Sequence, residues 1–183
     1  MGASEAATLQ GRGLVHLYWG EGKGKTTAAV GQAVRAVGSG LQVVFVQFLK
    51  ERPSGEVEVL RGLGVPVLRG GSFGKFSFQM TPEERAQARE NYTAHLRRAL
   101  GLVNEGRCDM LVLDEAAAAW QMDMVDKRLL QDAVLARPPR LEVVLTGRHP
   151  ADWMRQAADY STEMQCHRHP YEKGIPARRG VEF

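Results

Sequence analysis

The chain has 183 residues, 44% hydrophobic and 25% charged, with 24 Lys+Arg against 21 Asp+Glu for a formal net charge of +3. At about 150 residues per domain this predicts one compact domain, able to bury a core without disulfides or a structural metal. The longest apolar stretches, Val43 to Val46 and Ala116 to Trp120, fall far short of the roughly 18 residues of a membrane span, and so small a basic excess gives no reason to invoke nucleic acid. Met1-Gly2-Ala3-Ser4-Glu5 lacks the basic start and apolar run of a secretion signal, and Cys108 and Cys166 make no disulfide framework, so a cytoplasmic protein is expected. Glycine is the outlier, at 20 of 183 against an average of about 7%.

Residues 1–10 read as a separate, mobile, Ala-rich segment, and residues 11–183 as one unit. Short apolar runs alternate with longer amphipathic ones, the pattern of βαβ units on a mostly parallel sheet flanked by helices. Leu14 to Trp19 is the first expected strand, and Thr26 to Val37 the first helix, closed by Gly38 and Gly40. Val43 to Leu49 is apolar on both faces, as a strand between two helix layers should be. Val65 to Leu68 is a short third strand, followed by a loop from Arg69 to Met80. Thr81-Pro82-Glu83-Glu84 offers an N-cap, a proline at the first helical position and first-turn acids, so a helix should run to about Asn104. Met110 to Leu113 is a fourth strand, Val125 to Ala136 a helix stopped by Pro138-Pro139, and Leu141 to Thr146 a fifth strand ending at Gly147. Pro150 to Ala158 is a short helix and Tyr160 to Met164 a last strand. The remainder, 165–183, has no clear period and reads as an ordered tail laid over the domain.

The sharpest feature is Gly20-Glu21-Gly22-Lys23-Gly24-Lys25-Thr26-Thr27, set between the first strand and the first helix. Glycines allow successive amides to turn toward an anion, and the helix N-terminus adds its dipole. Lys25 supplies an ammonium for phosphates, and the Thr26 hydroxyl suits a magnesium ion. The α/β fold expected is therefore phosphate-loop NTPase-like. The usual pattern is one residue longer, however: its first glycine would fall at Trp19, so this loop should grip a triphosphate differently. A glycine- and lysine-rich turn can also be a mere solvated connection; the strand before it and the helix after it favour the phosphate reading.

Asp114 and Glu115 close the strand Met110 to Leu113, at the carboxyl end where parallel sheets hold ligands. An acid there can hold magnesium directly or through water, or contact a ribose, and it can also serve as the N-cap of a following helix. Asp109, at the other end of that strand, reads as a surface acid. The sequence Cys166-His167-Arg168-His169 lacks a second pair at metal-site spacing, which argues against zinc. His16 and His95 read as a strand neighbour and a helix-face residue.

Taken in order, Gly20-Glu-Gly-Lys-Gly-Lys-Thr-Thr-Ala-Ala29, Phe45-Val-Gln-Phe-Leu-Lys50, Leu113-Asp-Glu115, Leu145-Thr-Gly-Arg148, Ala157 to Met164 and His169 to Phe183 resemble the ATP:corrinoid adenosyltransferases of the cobalamin pathway. The likeness runs from about Gly11 to the C-terminus, and its specific signals are the shortened loop and the terminal Gly174-x-x-Ala177-x-x-Gly180-Val181-Glu182. The resemblance implies that residues 11–183 bind nucleotide and corrinoid, with ATP lying reversed so that its 5′ carbon faces the corrinoid. Co(I) attacks that carbon and expels triphosphate. Lys25, Thr26 and Glu115 would carry catalysis. Gly20, Glu21, Gly22, Lys23, Gly24, Lys25, Thr26, Thr27 and Arg148 would hold ATP, and Thr26, Asp114 and Glu115 magnesium.

The resemblance further implies an aromatic pair, Phe76 and Phe78, beneath the corrin ring, displacing its lower axial ligand to ease reduction of Co(II). On the residues alone, Phe73, Phe76 and Phe78 could equally be core residues of a loop. It implies as well a reduced flavoprotein as electron donor, a homodimer, and an N-terminal segment that either covers the active site or stays disordered. Two departures stand out: Phe78 where the family often has Trp, and Glu21 where it often has Asn. Arg148 has three readings, namely phosphate sensor, anchor for the corrin periphery, or partner in a buried ion pair. A conventional phosphate-loop kinase or NTPase, and a nonenzymatic corrinoid carrier, are the competing functions.

Overall fold

The computed structural model describes residues 11–50, 53–71 and 79–182. Among them, six strands form one all-parallel sheet in the order β3-β2-β4-β5-β1-β6. The strands are β1 (Val15–Trp19), β2 (Val43–Gln47), β3 (Val67–Arg69), β4 (Met110–Asp114), β5 (Glu142–Gly147) and β6 (Tyr160–Glu163). The helices are α1 (Lys25–Gly38), α2 (Gly55–Gly62), α3 (Pro82–Asn104), α4 (Ala116–Gln121), α5 (Lys127–Leu135) and α6 (Asp152–Ala157).

Strand alternation divides the core into two layers. Val44, Val46, Leu111, Leu113, Val143 and Leu145 face α3, α4, α5 and α6, packing with Tyr92, Leu96, Leu130 and Met154. Their neighbours Val43, Phe45, Met110, Val112 and Val144 face α1 and α2, where Ala29, Ala33, Ala36 and Leu60 cover them. The small alanines let α1 lie close on the sheet. No helix among the described residues is long and apolar enough to cross a membrane.

The expected α/β architecture is therefore present, with instructive differences. The Thr81 start of α3 forms a full capping box with Glu84, a device worth on the order of 1 kcal/mol. Helix α2 was not expected: Glu56-Val-Glu-Val59 alternates with a strand-like period, yet Val57 and Leu60 are the residues it buries. Helix α4 was expected only through the N-cap alternative for Asp114-Glu115, without a span, because Ala116-Ala-Ala-Ala119 shows no polar face; three of the four are buried against the sheet end. The second strand stops at Gln47, two residues early, since Leu49 takes a left-handed φ of 58°. Among the described residues, the tail meets the domain only at its ends, where Gln165 lies against Gly22 and Glu182 is near Lys23. Residues 165–182 are all exposed, and their hydrogen bonds, such as Arg178 Nη2 to Glu182 Oε1 at 3.1 Å, run within the segment. Residues 1–10 and the Phe76 and Phe78 pair lie outside the described residues.

Candidate active site at the carboxyl ends of the strands

Three apolar strands end in a polar residue on the same face. Val43, Phe45 and Gln47 of β2, Met110, Val112 and Asp114 of β4, and Val144 and Thr146 of β5 alternate toward α1, and register sets Gln47 beside Asp114. The last position of each series therefore points at the first turn of α1, where the helix no longer covers the sheet. Asp114, Gln47 and Thr146 are all fully buried.

Asp114 gathers the site. Its Oδ1 accepts from Thr26 Oγ1 at 2.8 Å and from Thr146 Oγ1 at 2.7 Å. Its Oδ2 accepts from Gln47 Nε2 and Lys50 Nζ, each at 3.0 Å. Four donors, one of them charged, offset the desolvation of a carboxylate with no exposure at all. Lys50 Nζ also donates to Thr26 Oγ1 at 2.7 Å and stands 4.0 Å from Glu115 Oε1.

Glu115 lies one residue on, with a left-handed φ of 60° that turns the chain from β4 into α4, and its amide donates to Thr146 Oγ1 at 2.9 Å. Such a backbone is sparsely populated for a non-glycine residue and marks an over-determined turn. Burial, and secondarily the charge of Asp114, push the Glu115 carboxyl above its ordinary range. Glu115 does stand at the N-cap position of α4, but its side chain makes no capping hydrogen bond there among the described residues, which leaves its carboxylate for other partners. Gly147 makes room for this turn: a Cβ there would stand 2.4 Å from the Ala117 Cβ.

The glycine loop is pinned by the strands beside it. Gly20 N donates to Arg148 O at 3.1 Å and Gly22 N to Met164 O at 2.6 Å, so these two amides are committed within the protein. A Cβ on Gly22 would come within 2.7 Å of both the Met164 and Gln165 carbonyls; only glycine permits that approach. Lys25 folds back to donate to Gly22 O at 2.7 Å, and burial, the leading cause, lowers its ammonium below the ordinary lysine range. Lys23 and Thr27 are exposed. Glu21 does not face the carboxylates: Arg148 Nη1 reaches it at 3.2 Å and His149 Nε2 at 3.1 Å. The Arg148 ion pair is thus real but exposed, not buried.

The structure brings Lys25, Thr26, Asp114 and Glu115 to one place. It adds Gln47, Lys50 and Thr146, which sequence reasoning did not single out. Their signal was present: each lies at or just beyond the point where an apolar run turns polar at the carboxyl end of a strand. His16, by contrast, lies at the amino end of the sheet beside Glu142, and Asp109 accepts from the Gln42 amide at the same end.

A parallel sheet between helix layers, a glycine loop opening α1 and a buried acid at the end of β4 define a phosphate-loop type of α/β protein. Comparison with known proteins narrows this. The family model described as ATP:corrinoid adenosyltransferase BtuR/CobO/CobP matches residues 11–183. A protein named corrinoid adenosyltransferase from Escherichia coli strain K12 is 32% identical over 173 residues, covering 94% of this chain and 86% of its own. One of the same name from Pseudomonas aeruginosa is 34% identical over 174 residues, covering 94% and 84%. Corrinoid adenosyltransferase CobA of Salmonella typhimurium strain LT2 is 31% identical over 189 residues, covering 99% and 91%. The chain belongs to the ATP:corrinoid adenosyltransferase family.

Proposed function

We propose that this enzyme transfers the 5′-deoxyadenosyl group of ATP to the Co(I) centre of a reduced corrinoid, releasing triphosphate. What carries the reading is the family match over residues 11–183, a span that takes in the short loop, the Asp114-Glu115 strand end and the C-terminal segment. We treat that span as the catalytic unit.

In this reaction the corrinoid cobalt supplies both electrons of the new cobalt–carbon bond. The C5′–O bond breaks and its electron pair leaves with the triphosphate, so no general base is needed. The protein's task is to hold C5′ in line and to stabilise charge growing on the leaving group. Lys25 and Lys23 would provide positive charge. The loop from Gly20 to Gly24, with the amides of Lys25, Thr26 and Thr27 at the start of α1, would provide donors. Two of its amides, those of Gly20 and Gly22, are already engaged, which supports a triphosphate grip unlike the usual one. Arg148 becomes available to phosphate once it parts from Glu21.

Magnesium fits the donors present. Thr26 Oγ1, Asp114 and Glu115 are hard oxygens, and among the described residues nothing donates to buried Gln47 Oε1, an acceptor suited to a water on the ion. Thr26 and the two acids would hold the ion, directly or through water, and its charge would help neutralise the triphosphate. We assign Phe76 and Phe78 to the lower corrin face on the family resemblance, along with a homodimer, a cytoplasmic setting and a reduced flavoprotein donor.

The test is anaerobic incubation with ATP and chemically reduced cob(I)alamin. The expected result is a cobalt–carbon product and triphosphate in equal amounts. Folded protein that yields no such product, or that releases ADP or inorganic phosphate instead, overturns the reading in favour of phosphoryl transfer or a carrier. Phe76→Ala and Phe78→Ala should impair reaction from Co(II) more than from pre-reduced Co(I); equal losses remove their axial-ligand role.

A further inference from the structure

Lys50 is a cation built into the site. Its ammonium lies 2.7 Å from Thr26 Oγ1, 3.0 Å from Asp114 Oδ2 and 4.0 Å from Glu115 Oε1. These are the same three residues whose oxygens suit a divalent ion. The Thr26 proton is directed to Asp114 Oδ1, which leaves the hydroxyl lone pairs for a cation, and the ammonium takes one. The backbone holds the lysine there: Leu49 turns the chain with φ 58°, and Lys50 O accepts from Arg69 Nη2 at 3.0 Å. Only 34% of the Lys50 side chain is exposed.

We infer that Lys50 is a tethered stand-in for the divalent cation, occupying its ligands in the nucleotide-free site and having to leave before the ion can bind. The inference rests on the magnesium assignment above. Its physical basis is charge balance. Asp114 is fully buried, and a buried carboxylate without a counter-charge is strongly destabilising; Lys50 supplies that charge whenever no divalent ion does. A divalent ion alone must displace an ammonium that is already well bonded. An ion arriving with a triphosphate brings additional oxygen ligands, and gives the displaced ammonium an anion to join. The device thus couples metal binding to nucleotide binding and keeps a free divalent ion out. Lys50 acts here as a positioning residue for Thr26 and Asp114.

The experiment measures Mn2+ binding in the absence of nucleotide and corrinoid, from the electron paramagnetic resonance of free Mn2+. Wild-type protein should bind weakly. Lys50→Met should bind at least about tenfold tighter, and Lys50→Arg, which keeps the charge, should stay near wild type. Added Mg2+ should raise the melting temperature of Lys50→Met more than that of wild type. Lys50→Gln, a neutral donor, serves if the methionine variant does not fold, and should also bind tighter than wild type. Unchanged or weaker Mn2+ binding in a folded neutral variant overturns the inference. Asp114→Asn should abolish the binding gained by Lys50→Met; persistence of that binding would place the metal elsewhere and overturn it too. With neither ATP nor corrinoid present, failure here leaves adenosyl transfer standing, and failure of adenosyl transfer does not alter this result.

Discussion

The Thr26 hydroxyl donates to Asp114 Oδ1 at 2.8 Å, joining the first turn of α1 to the end of β4 across 88 positions of sequence. One bond ties the glycine loop to the centre of the sheet, so the loop's place depends on a carboxylate that the core also depends on.

Asp114→Asn should therefore damage both. An amide offers one acceptor oxygen where four donors now converge, and its own N–H2 group faces two of them. Leaving buried donors unpaired costs about 1–3 kcal/mol each. We expect a loss on the order of 3 kcal/mol in urea unfolding, together with loss of adenosyl transfer. A variant as stable as wild type would show that the network rearranges freely.

Lys25 should behave oppositely. Burial holds it below its ordinary range, and among the described residues its ammonium donates to the loop carbonyl of Gly22. Lys25→Ala should lower turnover on the order of 100- to 1000-fold, the cost of losing one donor to developing charge. Its melting temperature without ligands should stay close to wild type. A matched loss of stability would make Lys25 structural.

Gly22→Ala tests the seating of the loop against the end of β6. The added methyl must push away two backbone carbonyls, those of Met164 and Gln165, which cannot rotate aside as a side chain would. Overpacking of this kind costs about 1–3 kcal/mol. We expect that loss together with weaker ATP binding by calorimetry; normal affinity would show that the contact with β6 does not shape the loop.

Glu115 gives a pH dependence of definite sign. Burial raises its folded-state carboxyl above the unfolded value, so the folded form binds the proton more readily. The associated stability is present below the ordinary carboxylate range and is lost as pH rises through the raised folded value. Glu115→Gln cannot ionise and escapes that loss. In metal-free urea unfolding the variant should gain on wild type from acid toward neutral pH, with the difference vanishing in acid. A gain confined to low pH would contradict the sign.

The two thiols should differ sharply. Cys108 is buried and its pKa is pushed up to about 12, chiefly by burial, whereas Cys166 is exposed. At pH 8 a thiol reagent should modify one cysteine rapidly and the second only on unfolding. Cys166→Ser should remove the fast phase; its persistence would show that Cys108 is reached in the native state.

The sequence by itself determined the parts whose cause is local or periodic. Apolar runs marked the strands, the Thr81-Pro82-Glu83-Glu84 cap marked the start of α3, and the glycines with Lys25-Thr26 marked the loop. It also carried enough specific pattern to indicate the family. It could not place Glu21 against Arg148 and His149, nor show that the tail lies exposed, since both depend on which surfaces meet. Helix α2 escaped notice and α4 was given no span, because each is short and was formed by what it packs on rather than by its own period. Gln47, Lys50 and Thr146 lay within segments that carried the resemblance, but the sequence showed them only as polar residues at the ends of apolar runs and gave none of them a role. Parallel pairing across distant strands aligned those ends on one face of the sheet, and there a single buried carboxylate needed all three as donors.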